Sequence, residues 1–212
     1  MIVLSHRGYW KTADEKNGEV AFQRSFDLGF GTETDVRDHN GELVISHDMP
    51  RGGAMTFAEF LDILGDRDLP LAINIKADGL ADAVKTAFAA RPHLTRWFLF
   101  DMSVPDTIQQ LARNNPVYAR LSEYEPDVPK LFQDRIAGIW LDGFHSEWWT
   151  PATIEPWAAA GKPVCVVSPD LHKRDPKAAW TSLRDYRFTR PDLVQVCTDL
   201  PEDAQAWFGG SS

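Results

Sequence analysis

Gly31-Thr32-Glu33-Thr34-Asp35-Val36 alternates residue by residue. If the run is a strand, Glu33 and Asp35 share one face and Thr32 and Thr34 the other. Asp38-His39-Asn40-Gly41 follows as a strong turn signal, and Glu42–Ser46 returns as a second strand. The pair predicts a hairpin that carries His47 back beside Glu33 and Asp35. Upstream, the apolar run Ile2-Val3-Leu4 leads into Ser5-His6-Arg7-Gly8. Two histidines, an arginine and two carboxylates thus fall at predicted strand ends. Downstream, apolar runs recur at a regular beat, and that beat decides the fold.

Strands are expected at Ile2–Ser5, Gly31–Val36, Leu69–Ile75, Trp97–Phe100, Val117–Leu121, Ile136–Leu141, Val164–Val167 and Leu193–Cys197. Helices are expected between and after them, at Glu19–Leu28, Thr56–Leu64, Asp78–Ala90, Ser103–Arg113, Asp127–Gln133, Thr150–Ala160, Asp175–Tyr186 and Glu202–Phe208. Thr56 followed by Glu59 is a capping box. Thr150-Pro151 supplies an N-cap and a first helical position. Eight strand-then-helix units predict a single-domain α/β chain, a (β/α)8 TIM barrel over residues 1–208, with 209–212 as a flexible tail. An open doubly wound sheet is the alternative. Polar residues follow nearly every strand, which favours the barrel, where all strand ends converge on one mouth.

The chain has 212 residues, of which 43% are hydrophobic and 25% charged, as in a globular protein. No run approaches the roughly 20 apolar residues of a membrane span. The start has neither the basic region nor the cleavage site of an export signal, so a cytoplasmic location is expected. A net charge of −9, with no Lys/Arg cluster, argues against nucleic acid and against an anionic membrane surface. A phosphate handled by this chain needs a local cationic site. Cys165 and Cys197 stand in apolar runs and are expected to be buried free thiols.

The residue types point to phosphate chemistry. Glu33 and Asp35 supply hard oxygen ligands suited to Mg²⁺ or Ca²⁺. Histidines are the side chains that trade protons near neutral pH, which suits His6 and His47 to acid/base work. Arg7 offers a planar fork for phosphate oxygens, and Lys76 a second cation. Trp10, Arg51, Asp101, Glu123 and His172 follow strands or sit in loops where a pocket would form.

The series His6-Arg7-Gly8, Asn17, Ala21-Phe22, Gly31, Glu33-Thr34-Asp35-Val36, Gly41 and His47-Asp48 resembles the glycerophosphodiester phosphodiesterase family. The resemblance continues more weakly through Leu71–Lys76 and Cys197-Thr198-Asp199-Leu200-Pro201. It implies metal-dependent hydrolysis of a small-molecule phosphodiester, with His6 and His47 as the acid/base pair. It also implies Arg7 and Lys76 on the phosphate, and the metal on Glu33, Asp35 and the residue at position 74.

Three departures stand out. The family usually has Glu where this chain has Asn74, which implies a weaker or more hydrated ion, with Asp101 or Glu123 as compensating carboxylates. It usually has Pro-Glu-Asn where this chain has Glu15-Lys16-Asn17. It commonly inserts a cap after the His-Asp pair, where only Met49–Met55 separates Asp48 from the next helix. Two alternatives remain open: a lyase-type relative that stops at a cyclic phosphate, and a non-catalytic binder of phosphate ligands.

Overall fold

The computed structural model describes residues 1–50 and 52–209. The fold class is α/β, a (β/α)8 barrel. Parallel strands β1 (Ile2–His6), β2 (Gly31–His39), β4 (Leu71–Ile75), β5 (Trp97–Phe100), β6 (Tyr118–Leu121), β7 (Gly138–Leu141), β8 (Val164–Val167) and β9 (Val194–Thr198) alternate with helices. The helices are α1 (Glu19–Asp27), α2 (Phe57–Leu64), α3 (Ala81–Ala89), α4 (Val104–Ala112), α5 (Lys130–Gln133), α6 (Pro151–Ala159), α7 (Lys177–Asp185) and α8 (Pro201–Gly209). The extra strand β3 (Glu42–Ile45) pairs antiparallel with β2. Among the described residues, no helix is long and apolar enough to cross a membrane.

The chain divides into two compact units, His6–Val117 and Met1–Ser5 with Tyr118–Ser212. In the first, β2, β4 and β5 lie side by side in parallel, with Glu33 opposite Ala72, Asp35 opposite Asn74 and Asn74 opposite Phe100. The two turn residues of the hairpin, Asn40 and Gly41, both have positive φ (52° and 86°), the backbone a two-residue primed turn requires. Behind the strands, Phe22, Phe26, Phe57, Phe60, Leu61 and Leu64 from α1 and α2 pack on Ile73 and Val36. Phe22 meets Phe60 edge-on at 4.7 Å. The Thr56–Glu59 capping box forms as expected and fixes the start of α2.

In the second unit β1, β9, β8, β7 and β6 run parallel in that order. Every residue of β7, β8 and β9 is buried, as strands covered on both faces must be. Cys165 and Cys197 form no disulfide and are fully buried, as their apolar runs imply.

Several boundaries differ from the expected ones. α3 starts at Ala81 rather than Asp78 because Gly79 has φ +89° and gives its N–H to Asp106 Oδ1 at 2.9 Å instead of entering the helix. β4 starts at Leu71 because Pro70 has no N–H to give a ladder; only its carbonyl is used, accepting from Thr32 N–H. α5 is one turn, held back by Pro129 at its N-cap. The expected tail loses Gly209 to α8, and 210–212 lie outside the described residues.

Candidate active site

Residues predicted for the site gather inside the unit His6–Val117. Strand alternation puts Glu33 and Asp35 on one face of β2, both buried, at 2% and 0% exposure. His6, the last residue of β1, brings Nε2 to 3.9 Å from Glu33 Oε2. Arg7 then turns sharply, with φ +57°. Its backbone N–H is shared between the Glu33 carbonyl (2.9 Å) and Glu33 Oε2 (3.2 Å). The turn swings the Arg7 side chain over Asp35, Nε to Oδ2 at 3.0 Å, although the Nε–H is not aligned for a hydrogen bond. Gly8 follows at φ +79°, so close to α1 that a Cβ there would stand 2.8 Å from Ala21 Cβ.

Lys76, just past β4, places Nζ 3.4 Å from Asp35 Oδ1. Two cations therefore flank one buried carboxylate. Asn17 completes its surroundings: Nδ2–H donates to Asp35 Oδ2 at 2.9 Å, while Asn17 Oδ1 accepts from Thr34 Oγ1 at 2.8 Å. The sequence marks Asn17 through the resemblance alone and not as a site residue. The signal available was an Asn-Gly pair in a loop, a pair tolerant of positive φ, which Asn17 adopts at +58°. Burial, and the Asp35 carboxylate next to it, push Glu33 up to about 7, against the lowering pull of His6, Arg7 and Lys76.

Asn74 is the cross-strand partner of Asp35 and is 7% exposed. Its Nδ2–H donates to Asp101 Oδ2 at 3.2 Å. Asn74 Oδ1 and Asp35 Oδ1 are both buried and accept no hydrogen bond. A buried acceptor left unpaired costs about 1–3 kcal/mol, so Asn74 Oδ1 has an energetic reason to take a cation, while Asp35 Oδ1 already faces Lys76 Nζ at 3.4 Å. Among the described residues no group of three or more His, Cys, Asp or Glu side chains forms a cation site. The donors that fit a divalent ion are instead two carboxylates and one neutral amide, an all-oxygen set of the kind Mg²⁺ and Ca²⁺ accept.

Other expected site residues behave differently. The hairpin does return Ser46 to Asp35, whose carbonyl takes the Ser46 N–H at 3.0 Å. His47 itself stays exposed, 44% at the side chain, with Nδ1 hydrogen-bonded to Asp48 Oδ1 at 2.9 Å. That bond holds the Asp48 carboxyl below its ordinary value. Trp10 is half-buried and carries Lys16 Nζ 4.3 Å over its ring. Arg51 lies outside the described residues.

Glu123 and His172 belong to the other unit. The Glu123 carboxylate accepts the N–H groups of Phe144, His145 and Ser146 at 2.9–3.1 Å. Those bonds outweigh the burial that would raise it and lower it to about 2. Glu123 thus anchors the loop at 144–146. His172 Nε2–H donates to the buried Asp142 at 2.7 Å. That pair joins residues 30 apart and has no sequence signature.

Similar architecture occurs in solved structures. A glycerophosphodiester phosphodiesterase from Parabacteroides distasonis matches with TM-score 0.71 and 19% identity, over 99% of this chain and 97% of that one. The enzyme of the same name from Agrobacterium tumefaciens gives 0.72 and 17%, over 99% of both chains. An Oleispira antarctica phosphodiesterase in complex with the product sn-glycerol-3-phosphate gives 0.66 and 16%, over 99% of this chain and 97% of that one. This chain shares their fold. No family model matches the sequence, and no curated protein matches it.

Proposed function

We propose that the chain is a member of the glycerophosphodiester phosphodiesterase family: a phosphoric diester hydrolase, dependent on Mg²⁺ or Ca²⁺, that splits a small glycerophosphodiester-like molecule into a phosphomonoester and an alcohol. Residues 1–208 form its one phosphodiesterase domain, and the compartment is the cytoplasm. The observation that carries this reading is the convergence of His6, Arg7 and Lys76 on the buried Glu33–Asp35 pair. That arrangement places two fixed cations, Arg7 and Lys76, at one point of a chain of net charge −9. A diester carries one negative charge and gains a second on cleavage, which is the charge change such a site stabilises. The shared fold supports the same reading.

Glu33, Asp35 and Asn74 would hold the divalent ion, which would supply Lewis-acid polarisation of the phosphoryl group when bound. Arg7 and Lys76 take the remaining phosphate oxygens and orient the diester. One histidine accepts the proton of the attacking hydroxyl, from water or from the substrate's own neighbouring alcohol. The other gives a proton to the leaving alkoxide. The Asp48 bond at His47 Nδ1 orients that ring and leaves Nε2 for the transfer. If the substrate's hydroxyl attacks, a cyclic phosphate forms first and is then opened by water.

The test is a panel of glycerophosphodiesters assayed with Mg²⁺, Ca²⁺ and Mn²⁺, using wild type, His6→Ala and His47→Ala. Each histidine variant is expected to lose roughly 10²–10⁴ in kcat while keeping the wild-type circular dichroism. Wild type and both variants equally inactive on the whole panel would refute an enzyme and leave a phosphate-binding barrel.

A further inference from the structure

We infer that Asp101 is a positioning residue for the divalent cation: it holds the Asn74 amide so that Asn74 Oδ1, and not Nδ2, is presented beside Asp35. The inference rests on the metal-dependent reading above and adds to it a residue that touches neither ion nor substrate.

An amide has two ends of nearly equal shape, and only the carbonyl end can ligate a cation. Left to itself, Asn74 could turn either way. The Asp101 carboxylate only accepts hydrogen bonds, so the group facing it at 3.2 Å must be the NH₂. With Nδ2 committed, Oδ1 is fixed at the other end, buried and without a hydrogen-bond partner. Asn74 stands in direct register with Asp35 on the neighbouring parallel strand, so both side chains leave the same face of the sheet. Asp35 Oδ1 is likewise buried and accepts no hydrogen bond. Two buried oxygens on adjacent strands, one anionic and facing Lys76 Nζ at 3.4 Å, the other neutral and unpaired, suit a hard cation.

The backbone gives a second, independent observation. Among the described residues, six non-glycine residues have positive φ. Three of them touch this cluster: Arg7 and Asn17 contact Asp35, and Asp101, at φ +66°, contacts Asn74. Asp101 follows β5 directly, and Phe100 at the end of that strand is the cross-strand partner of Asn74. Left-handed backbone at a side chain that reaches into a polar cluster is strain held in place for a role. The orientation of Asn74 supplies that role for Asp101.

The experiment is a double-mutant cycle read by Mn²⁺ binding, with the free aqueous ion followed by electron paramagnetic resonance and no substrate present. Asp101→Gly removes the carboxylate and keeps the left-handed backbone free of strain. Asn74→Ala removes the ligand. Circular dichroism establishes that each variant is folded. Asp101→Gly is expected to weaken Mn²⁺ about tenfold, the size of effect usual when a ligand loses its supporting partner. The double variant should bind no more weakly than Asn74→Ala alone. Asp101→Asn keeps an acceptor for the amide and should retain most of the affinity, because orientation and not charge is the role. An unchanged affinity in Asp101→Gly, or the same tenfold loss in the Asn74→Ala background, would overturn the assignment of Asp101 alone. A folded wild type that takes up no Mn²⁺ would overturn the metal-dependent reading and this inference with it.

Discussion

Replacing Gly8 by alanine should cost more than replacing any glycine whose turn faces open space, and Gly29 provides the matched control. The two have nearly the same backbone, φ +79° and +77°. A Cβ at Gly8 would lie 2.8 Å from Ala21 Cβ, 2.9 Å from Ala21 C and 3.1 Å from Phe22 Cδ1, whereas one at Gly29 meets nothing within 4 Å. Both variants pay for L-residue strain in the left-handed region, about 1–2 kcal/mol, less roughly 0.4–1 kcal/mol gained by restricting the unfolded chain. Only Gly8→Ala adds overpacking, about 1–3 kcal/mol, because two of the three close atoms belong to the Ala21 backbone and Cβ and cannot swing away. The Tyr9 N–H to Ala21 carbonyl bond, 2.9 Å, ties the same spot and resists relief by sliding. The expected totals are about 1 kcal/mol for Gly29→Ala and about 2–4 kcal/mol for Gly8→Ala. At roughly 2–4 °C per kcal/mol for a chain of this size, thermal melts should fall by about 2–4 °C and about 4–16 °C. Equal shifts in the two variants would show that the close approach of the Arg7-Gly8 turn to α1 is not a constraint.

Two other perturbations test the framework around the site. Glu123 is lowered from 4.5 to about 2, so its stabilising effect is complete above pH 4.5 and is lost as pH falls from there through 2. The shift sets an upper bound of about 3 kcal/mol, which solvent screening reduces to about 1–2 kcal/mol. Denaturant melts of wild type and Glu123→Gln should therefore converge between pH 5 and pH 2, and a constant gap would contradict the anchor role. Asp106 is 2% exposed and accepts from Gly79 N–H and from Gln110 Nε2 at 3.1 Å. Asp106→Ala leaves the buried Gln110 amide and the exposed Gly79 N–H without their acceptor and should cost about 1–3 kcal/mol in urea unfolding; a loss below 1 kcal/mol would mean that water replaces the carboxylate.

Sequence made some of this legible because its signals are local. The two-residue period of β2 is enough to put Glu33 and Asp35 on one face, and their common burial follows. The Asn40-Gly41 turn and the Thr56–Glu59 box are set by residues no more than three apart, and both form. The eight-unit beat needs only apolar runs and their punctuation. The parts that escaped depend on the third dimension or on unusual backbone. Nothing in the identity of Arg7 announces φ +57°, since arginine has no preference for that region, yet this turn is what delivers its side chain to Asp35. Asn17 reaches Asp35 across 18 residues, and His172 reaches Asp142 across 30. Glu123 follows a strand, as a pocket carboxylate would, but three loop N–H groups 21 to 23 residues later use its oxygens. His47 shows the limit of hairpin reasoning: register returns Ser46 to Asp35, but a side chain past the last ladder bond is free to face solvent.

The central claim is that the cluster around Glu33 and Asp35 cleaves a phosphodiester with the help of a divalent ion. Its most direct test is a phosphorus NMR time course on glycerophosphocholine, run with Mg²⁺, with Ca²⁺, with Mn²⁺ and with chelator. The account expects the diester signal to give way to a phosphomonoester with at least one ion and to persist under chelation. A diester signal unchanged with all three ions, or cleavage as fast in chelator as with metal, would contradict it.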